Sequence, residues 1–181
     1  VHVVVMECLE GRTLKDLLHL NGDGLDVDEA MRIVRSAVDG LAAATAVGLV
    51  HRDVKPSNVF LCSNGAVKVI DFEIARSEGG TLSTGSGRFL GTFDYMAPEF
   101  TDVTFRGDVR SDIFSMGVVL HEMLTGRTPY QRLEGDGKQA NFAFLARWAR
   151  SLEDGYNPIH VSSRINRLLA HTEDVMVRSL A

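Results

Sequence analysis

The chain contains 181 residues, of which 45% are hydrophobic, and 19 basic residues against 24 acidic ones give a net charge of −5. This length and apolar content are enough for one hydrophobic core. The acidic balance, without a basic stripe or run, argues against a nucleic-acid or anionic-membrane partner.

Cysteine content and hydropathy limit the cellular compartments in which this protein is expected. Cys8 and Cys62 are too few for a disulfide framework, and buried, reduced thiols in a cytoplasmic protein are expected. No stretch approaches the roughly 18 uninterrupted apolar residues of a membrane helix. The start also lacks the basic-then-apolar layout of a signal peptide. No membrane segment is therefore predicted in this chain.

The first third of the chain predicts one strand and two helices. Residues 1–8 (VHVVVMEC) have the β-branched and apolar content of a strand, and residues 14–20 form a short helix. A longer helix follows Asp26 or Asp28, either of which is a good N-cap, and Gly48 ends it. Along this helix, apolar residues recur at positions 30, 34, 37, 38 and 41. One face of it is expected to lie on the core.

A β-hairpin is predicted in the middle of the chain. Residues 59–62 and 66–70 are apolar and β-branched, and Asn64-Gly65 favours a two-residue type I′ turn between them. This register places Asn58 opposite Asp71, with Cβ atoms roughly 5 Å apart. An amide oxygen and a carboxylate at that distance suit magnesium, with room for water and phosphate.

Two charged residues lie beside this predicted metal site. Asp53 precedes Asn58 by five positions, and Lys55 lies between them. A carboxylate that accepts a hydroxyl proton, an ammonium that neutralises phosphate and a metal ion are the parts that phosphoryl transfer uses. The alternative is an acidic loop followed by an ordinary hairpin.

The second half of the chain predicts a loop and three helices. Residues 72–110 show little periodicity and are rich in Gly, Ser and Thr, as in a mobile loop. Residues 111–125 are apolar on nearly every face, which is typical of a helix buried on all sides. Residues 139–152 and 163–180 have amphipathic helical patterns.

Four motifs in order resemble the serine/threonine protein kinases of bacteria. HRDVKPSN at 51–58 resembles the catalytic loop, and VIDFE at 69–73 resembles the metal-binding segment after it. GTFDYMAPE at 91–99 resembles the end of the activation segment, and SDIFSMG at 111–117 resembles the start of the following buried helix. The resemblance covers most of the chain.

The resemblance implies an α+β fold that is mainly α-helical. Residues 1–13 would be the last small-lobe strand and the hinge, and residues 14–181 the large C-terminal lobe, truncated at its end. The rest of the small lobe, with its glycine-rich loop and lysine, would be missing. We therefore expect a fragment of a longer polypeptide, inactive when isolated.

The resemblance also implies a reaction and its residues. The γ-phosphoryl group of ATP would pass to a Ser or Thr hydroxyl of a protein substrate, with Asp53 as the base and Lys55 on the phosphate. Magnesium would bridge the phosphates to Asn58 and Asp71. Lys55 and Thr92 are typical of Ser/Thr rather than Tyr specificity. Adenine would contact the hinge and the hairpin at Met6 as gatekeeper, Glu7, Leu9 and Phe60.

Further positions acquire supporting roles by the same resemblance. Arg52 would dock a phosphate on the activation loop, with Thr84 or Ser86 as its carrier; a loop without modification is the alternative. Glu99 would pair with an arginine beyond Ala181. Asp112 would cap its own helix, brace the catalytic-loop backbone, or do both.

Glu73 departs from the family pattern, which has glycine there. A side chain at this position resists the backbone angles that glycine permits. Three outcomes remain open: a tolerated variant, an enzyme biased toward one loop state, or a pseudokinase or scaffold that acts by partner binding. Retention of Asp53, Lys55, Asn58 and Asp71 favours the first two.

Overall fold

A computed structural model of the protein describes residues 6–72, 93–102 and 104–129. These ranges contain a three-stranded antiparallel sheet and three α-helices. In chain order the elements are β1 (Gly11–Thr13), α1 (Leu14–Asn21), α2 (Val27–Ala46), β2 (Val59–Cys62), β3 (Val67–Val69) and α3 (Val109–Thr125). Single 3-10 turns lie at Pro56–Asn58, Phe93–Tyr95 and Pro98–Thr101. The helices predicted at 139–152 and 163–180 lie outside the described residues.

The beginning of the described chain differs from the predicted strand. Residues 1–5 lie outside the described ranges, and residues 6–10 have no regular secondary structure. The strand instead starts at Gly11, where β1 pairs with β2. The prediction that both cysteines are buried is wrong for Cys8, which is exposed, whereas Cys62 lies half-buried in β2.

Both predicted helices of the first third are confirmed, and local chemistry sets their ends. Thr13 caps α1 in a capping box, because its hydroxyl accepts the Asp16 N–H at 3.2 Å while Asp16 accepts the Thr13 N–H at 3.1 Å. Asp26, not Asp28, caps α2 by accepting the Asp28 N–H at 2.9 Å. Gly48 follows the end of α2 with a φ of +80°.

The predicted hairpin register is wrong by one residue. Val59 pairs with Val69 and Leu61 with Val67, and the loop has three residues rather than two. The Gly65 N–H donates to Cys62 O at 2.9 Å, and Gly65 takes a φ of +87°, as in a three-residue loop that ends in a left-handed glycine. An Asn-Gly pair satisfies either loop, so it does not set the register.

The shifted register changes the surroundings of the candidate metal ligands. Asn58 lies opposite Ile70, whose N–H donates to the Asn58 carbonyl at 2.9 Å, and Asp71 is one residue further on. Asn58 also ends the 3-10 turn that Pro56 begins, so strand alternation does not reach it. Asn58 and Asp71 therefore do not form the directly opposed pair that a two-residue loop predicts.

α3 begins two residues before the predicted start. Asp108, rather than Asp112, is the N-cap, and its carboxylate accepts the Arg110 N–H at 2.8 Å. The expectation of a helix buried on all sides is also wrong, since Val109 and Ile113 are 38% and 51% exposed. Its other faces are buried against the core.

The core lies where α2 and α3 pack against each other and against the sheet. Ile33 and Leu41 of α2 contribute to it, together with Val119 and Met123 of α3. Val59 of β2 closes it from the sheet side. No helix among the described residues combines the length and apolar character needed to cross a membrane.

The loop between α1 and α2 docks closely on the end of α3. A Cβ on Gly126 would lie 2.2 Å from Gly22 O, and one on Gly24 would lie 2.8 Å from Met123 O. The Leu25 N–H donates to the same Met123 carbonyl at 2.5 Å. Two backbones can approach this closely only where side chains are absent.

Replacing Gly126 with alanine is therefore expected to lower the free energy of unfolding by about 2–4 kcal/mol, because steric overlap adds to the strain of a φ of +74°. Gly65→Ala is the matched control, since Gly65 has a similar φ but no atom within 4 Å of the place where a Cβ would lie. That variant should lose about 1–2 kcal/mol. Urea denaturation measures both, and equal losses would contradict a role for the close contact.

Candidate active site

Asp112 holds the backbone of the segment that precedes Asp53. Its side chain is 3% exposed, and its two oxygens accept the N–H groups of His51 and Arg52, each at 2.8 Å. The brace expected at Asp112 is thus confirmed, whereas the capping role belongs to Asp108. Arg52 has a φ of +65°, an uncommon angle for a residue with a side chain, and the Asp112 contact stabilises it.

Asp53, Lys55 and Asn58 come together as the sequence predicts. Lys55 Nζ lies 2.6 Å from Asp53 Oδ2. Asn58 is 5% exposed, and its Nδ2 donates to Asp53 O at 2.8 Å and to Asp53 Oδ2 at 3.2 Å. One carboxylate oxygen is therefore fixed by a cation and by an amide on either side.

The other carboxylate oxygen of Asp53 is left for a different partner. Within the described part of the chain, Asp53 Oδ1 has no hydrogen bond, although it has almost no accessible surface. A buried carboxylate oxygen without a donor calls for an explanation, such as a donor supplied by a ligand. A hydroxyl that donates its proton is one such group.

His51 links the two motifs, a role that the sequence alone did not predict. It is fully buried, its Nε2 lies 2.9 Å from Ile70 O, and its Nδ1 accepts the Asp53 N–H at 3.2 Å. These partners require the neutral ring with its proton on Nε2. The ring also packs on Phe72, with centroids 4.6 Å apart. Apart from the motif itself, no charge pattern or periodicity marks this histidine.

Asp71 lies at the exposed edge of this arrangement. Its φ of +58° turns the chain immediately after Ile70, which is bonded to Asn58 through the backbone. The Asn58 amide nitrogen faces Asp53, and the amide oxygen accepts a long bond of 3.3 Å from Ser57. An amide oxygen and a nearby exposed carboxylate are suitable ligands for magnesium.

A cage built from protein side chains alone is not found in the described ranges, which contain no cluster of three His, Cys, Asp or Glu residues suited to a metal. Magnesium usually keeps several waters and binds one or two carboxylates together with substrate phosphates. The donor set of Asn58 and Asp71 fits that kind of site.

The residues predicted to contact adenine occupy the sheet and the segment before it. Met6 is 74% exposed and Leu9 is half-buried. Glu7 forms an exposed ion pair of 2.5 Å with Lys68 of β3, which links this segment to the sheet. Phe60 lies in register between Thr13 of β1 and Lys68. Their role in adenine binding stays a prediction.

The described part of the activation-segment motif is bonded to α3. Glu99 Oε1 accepts the Ser111 hydroxyl at 3.0 Å. Tyr95 donates to Glu122 Oε2 at 2.6 Å. Burial raises the pKa of the Glu122 carboxyl, and the Tyr95 hydrogen bond partly opposes that shift. Four positions singled out in the sequence lie outside the described residues: Glu73, Thr84, Ser86 and Thr92.

Comparisons with known proteins identify the family of this chain. A family model described as protein kinase domain matches residues 1–174. A serine/threonine-protein kinase named PknL from Mycobacterium tuberculosis is 40% identical over 148 residues, which cover 76% of this chain and 37% of PknL. A serine/threonine-protein kinase named PknB from the same species is 35% identical over 183 residues, covering 98% of this chain and 27% of PknB.

This chain belongs to the protein kinase family. PknB of Mycobacterium leprae, another relative, is 40% identical over 131 residues, covering 70% of this chain and 20% of that protein. The chain thus spans less than two fifths of the length of these relatives.

Proposed function

We propose that this chain is part of a protein serine/threonine kinase that transfers the γ-phosphoryl group of ATP to Ser or Thr hydroxyls of a protein substrate. The observation that carries the proposal is the state of Asp53, whose Oδ2 is bonded to Lys55 and Asn58 while Oδ1 is left without a donor among the described residues. The names of the PknL and PknB relatives support the Ser/Thr class.

In this mechanism, a small rotation of the partly exposed Asp53 carboxylate makes Oδ1 accessible when the substrate binds. The substrate hydroxyl then donates to Oδ1, which orients the hydroxyl oxygen toward the γ-phosphorus and takes its proton. Lys55, held 2.6 Å from Asp53, lies where it neutralises charge on the transferred group. Asn58 and Asp71 would hold magnesium, which neutralises the phosphate oxygens when bound. His51 keeps the base and the metal-binding segment at a fixed separation.

The domain organisation belongs to the same proposal. Residues 14–181 would belong to the large lobe, and residues 1–13 would form the last small-lobe strand and the hinge. Met6, Glu7 and Leu9 would contact adenine from the hinge, with Phe60 as the floor. The rest of a small lobe and the protein substrate are the partners that this proposal requires. Free thiols at Cys8 and Cys62 are compatible with the cytoplasm, where ATP is available.

Regulation through Arg52 is a further part of this proposal. Within the described residues, Arg52 Nε is buried without an acceptor. A phosphate on Thr84 or Ser86 would supply acceptor oxygens and order the loop. Thr92 and Glu99 would shape the substrate-binding loop. Mass spectrometry of the active full-length enzyme should find phosphate at one of these two positions.

A pseudokinase or scaffold is the second candidate, and Glu73 is the observation that favours it. A glutamate two residues after Asp71 adds negative charge and removes the freedom of glycine at a position that the family keeps flexible. Comparison of Glu73→Gly with the parent in ATP–magnesium affinity and turnover separates the two candidates. A parent that binds no nucleotide and gains turnover from this change would support the scaffold.

The decisive experiment measures transfer of labelled phosphate from ATP to Ser-, Thr- and Tyr-containing peptides by the full-length polypeptide at varied magnesium. We expect transfer to Ser and Thr, and little from the isolated 181-residue chain.

Asn58→Ala should raise the magnesium concentration for half-maximal rate by about tenfold or more. Asn64→Ala, an asparagine in the exposed hairpin turn, is the control and should leave it unchanged. If Asn58→Ala and the parent require the same magnesium concentration for half-maximal rate, Asn58 is excluded as a ligand.

A further inference from the structure

Gly107 lies where the side chains of Arg52 and Phe100 meet. A Cβ on Gly107 would lie 2.8 Å from Phe100 Cζ and 3.2 Å from Arg52 Cγ. The first distance is shorter than real Cβ atoms allow, and the second requires the arginine to move by a few tenths of an ångström. The missing side chain at position 107 therefore makes room for both neighbours.

Phe100 has little freedom to give way. Its side chain is 5% exposed, and its ring packs edge-to-face on Phe105 with centroids 5.3 Å apart. Phe100 is buried whereas Arg52 is only half-buried, so an atom added at position 107 displaces the Arg52 stem more readily than the Phe100 ring.

Arg52 is a sensitive point in the chain because it precedes Asp53 and has a φ of +65°. Its backbone keeps this angle while its N–H donates to Asp112 Oδ1 at 2.8 Å. Displacement of the Arg52 side chain therefore acts directly on the backbone that determines the orientation of Asp53. Strained angles of this kind persist only where the surroundings over-determine them.

We propose that Gly107 is a positioning residue for the catalytic loop: the absence of its side chain seats the Arg52 stem beside Phe100 and so fixes the orientation of Asp53. The kinetic effect expected from this inference rests on the proposed kinase function. The packing contact itself does not depend on that function. Gly107 also has a φ of +78°, so a plain conformational requirement for glycine is the competing hypothesis.

Gly48 separates the two hypotheses. It has a φ of +80°, but nothing lies within 4 Å of the position that its Cβ would occupy. Gly48→Ala therefore introduces the same backbone strain as Gly107→Ala without the steric overlap. Any difference between the two variants reports the contact with Arg52 and Phe100.

The kinetic test uses the full-length polypeptide. Gly107→Ala should lower kcat by about tenfold with the KM for ATP unchanged, since small displacements of a catalytic group reduce the rate without removing nucleotide contacts. Gly48→Ala should leave both constants at the parent values. Adding Phe100→Leu to Gly107→Ala removes the Cζ atom and should restore part of kcat. Equal kinetics of the two alanine variants, or no rescue, would overturn the proposal.

A second measurement does not require activity. Amide hydrogen exchange at Arg52 should be about tenfold faster in Gly107→Ala than in the parent, because its bond to Asp112 opens more often, and it should be unchanged in Gly48→Ala. If the parent lacks kinase activity, the proposed function fails while this exchange measurement still decides the inference. Unaltered exchange at Arg52 in Gly107→Ala would refute it.

Discussion

Replacement of Asp112 with asparagine is expected to lower the free energy of unfolding by roughly 2–3 kcal/mol, with a parallel loss of order at His51 and Arg52. Both oxygens of this buried carboxylate accept a backbone N–H at 2.8 Å. An amide keeps one acceptor but turns an NH2 group toward the second N–H, which is then left unpaired. Urea denaturation measures the change in stability, and hydrogen exchange reports the two amides.

Asp108→Asn is the matched control, because it makes the same chemical change four residues earlier at the N-cap of α3. Asparagine is as good an N-cap as aspartate, so this variant should lose much less stability. Equal losses in the two variants would mean that Asp112 acts on the helix terminus rather than on the loop. Faster exchange at the Arg52 amide in Asp112→Asn alone would support the brace.

The helices were predictable because their signals are local. Thr13 precedes α1, and Asp26 precedes α2, and in each case a side-chain oxygen satisfies an N–H group within the next three residues. The start of α3 was missed, although Asp108 is an equally good cap. The preceding residues carry no periodicity, and Asp112 offered a second carboxylate near the same terminus.

The hairpin shows where local signals fail. Its strands were recognised from their apolar residues, but Asn64-Gly65 is compatible with loops of two or three residues. The structure has the longer loop, in which Asn64 Oδ1 accepts the Ala66 N–H at 3.1 Å. One extra loop residue shifts every cross-strand pair, so the relation of Asn58 to Asp71 could not be obtained from register alone.

Within the site, short-range groupings were predictable and long-range ones depended on the family motif. Asp53, Lys55 and Asn58 lie within six residues, and their contacts follow from one loop. The bond between His51 and the Ile70 carbonyl joins residues 19 apart and leaves no periodic pattern in the sequence. The packing of the Arg52 side chain against Gly107 also leaves no recognisable pattern in the sequence, since glycine is common in any turn that precedes a helix.

Replacing Asp53 with asparagine in the full-length polypeptide is expected to lower kcat by about 10² to 10⁴-fold, the range that general-base catalysis supplies. An amide at this position still accepts hydrogen bonds from Lys55 and Asn58 through one oxygen, so the loop should keep its structure. It has no basic oxygen for the substrate hydroxyl in place of Oδ1. Steady-state kinetics with a Ser/Thr peptide measure the loss, and the KM for ATP should remain near the parent value.

Two further variants decide what the loss means. Asp39→Asn removes the same charge from an exposed position on α2 and should leave kcat unchanged, which controls for net charge. Asp53→Ala removes both the proton acceptor and the anchor for Lys55 and Asn58, so a structural role would make it far worse than Asp53→Asn. Full activity of Asp53→Asn with loss in Asp53→Ala would therefore show that Asp53 organises its neighbours and that the proton leaves by another route. Equal, large losses in both variants place the chemistry on the Asp53 carboxylate, because both changes remove its negative charge and its capacity to accept a proton.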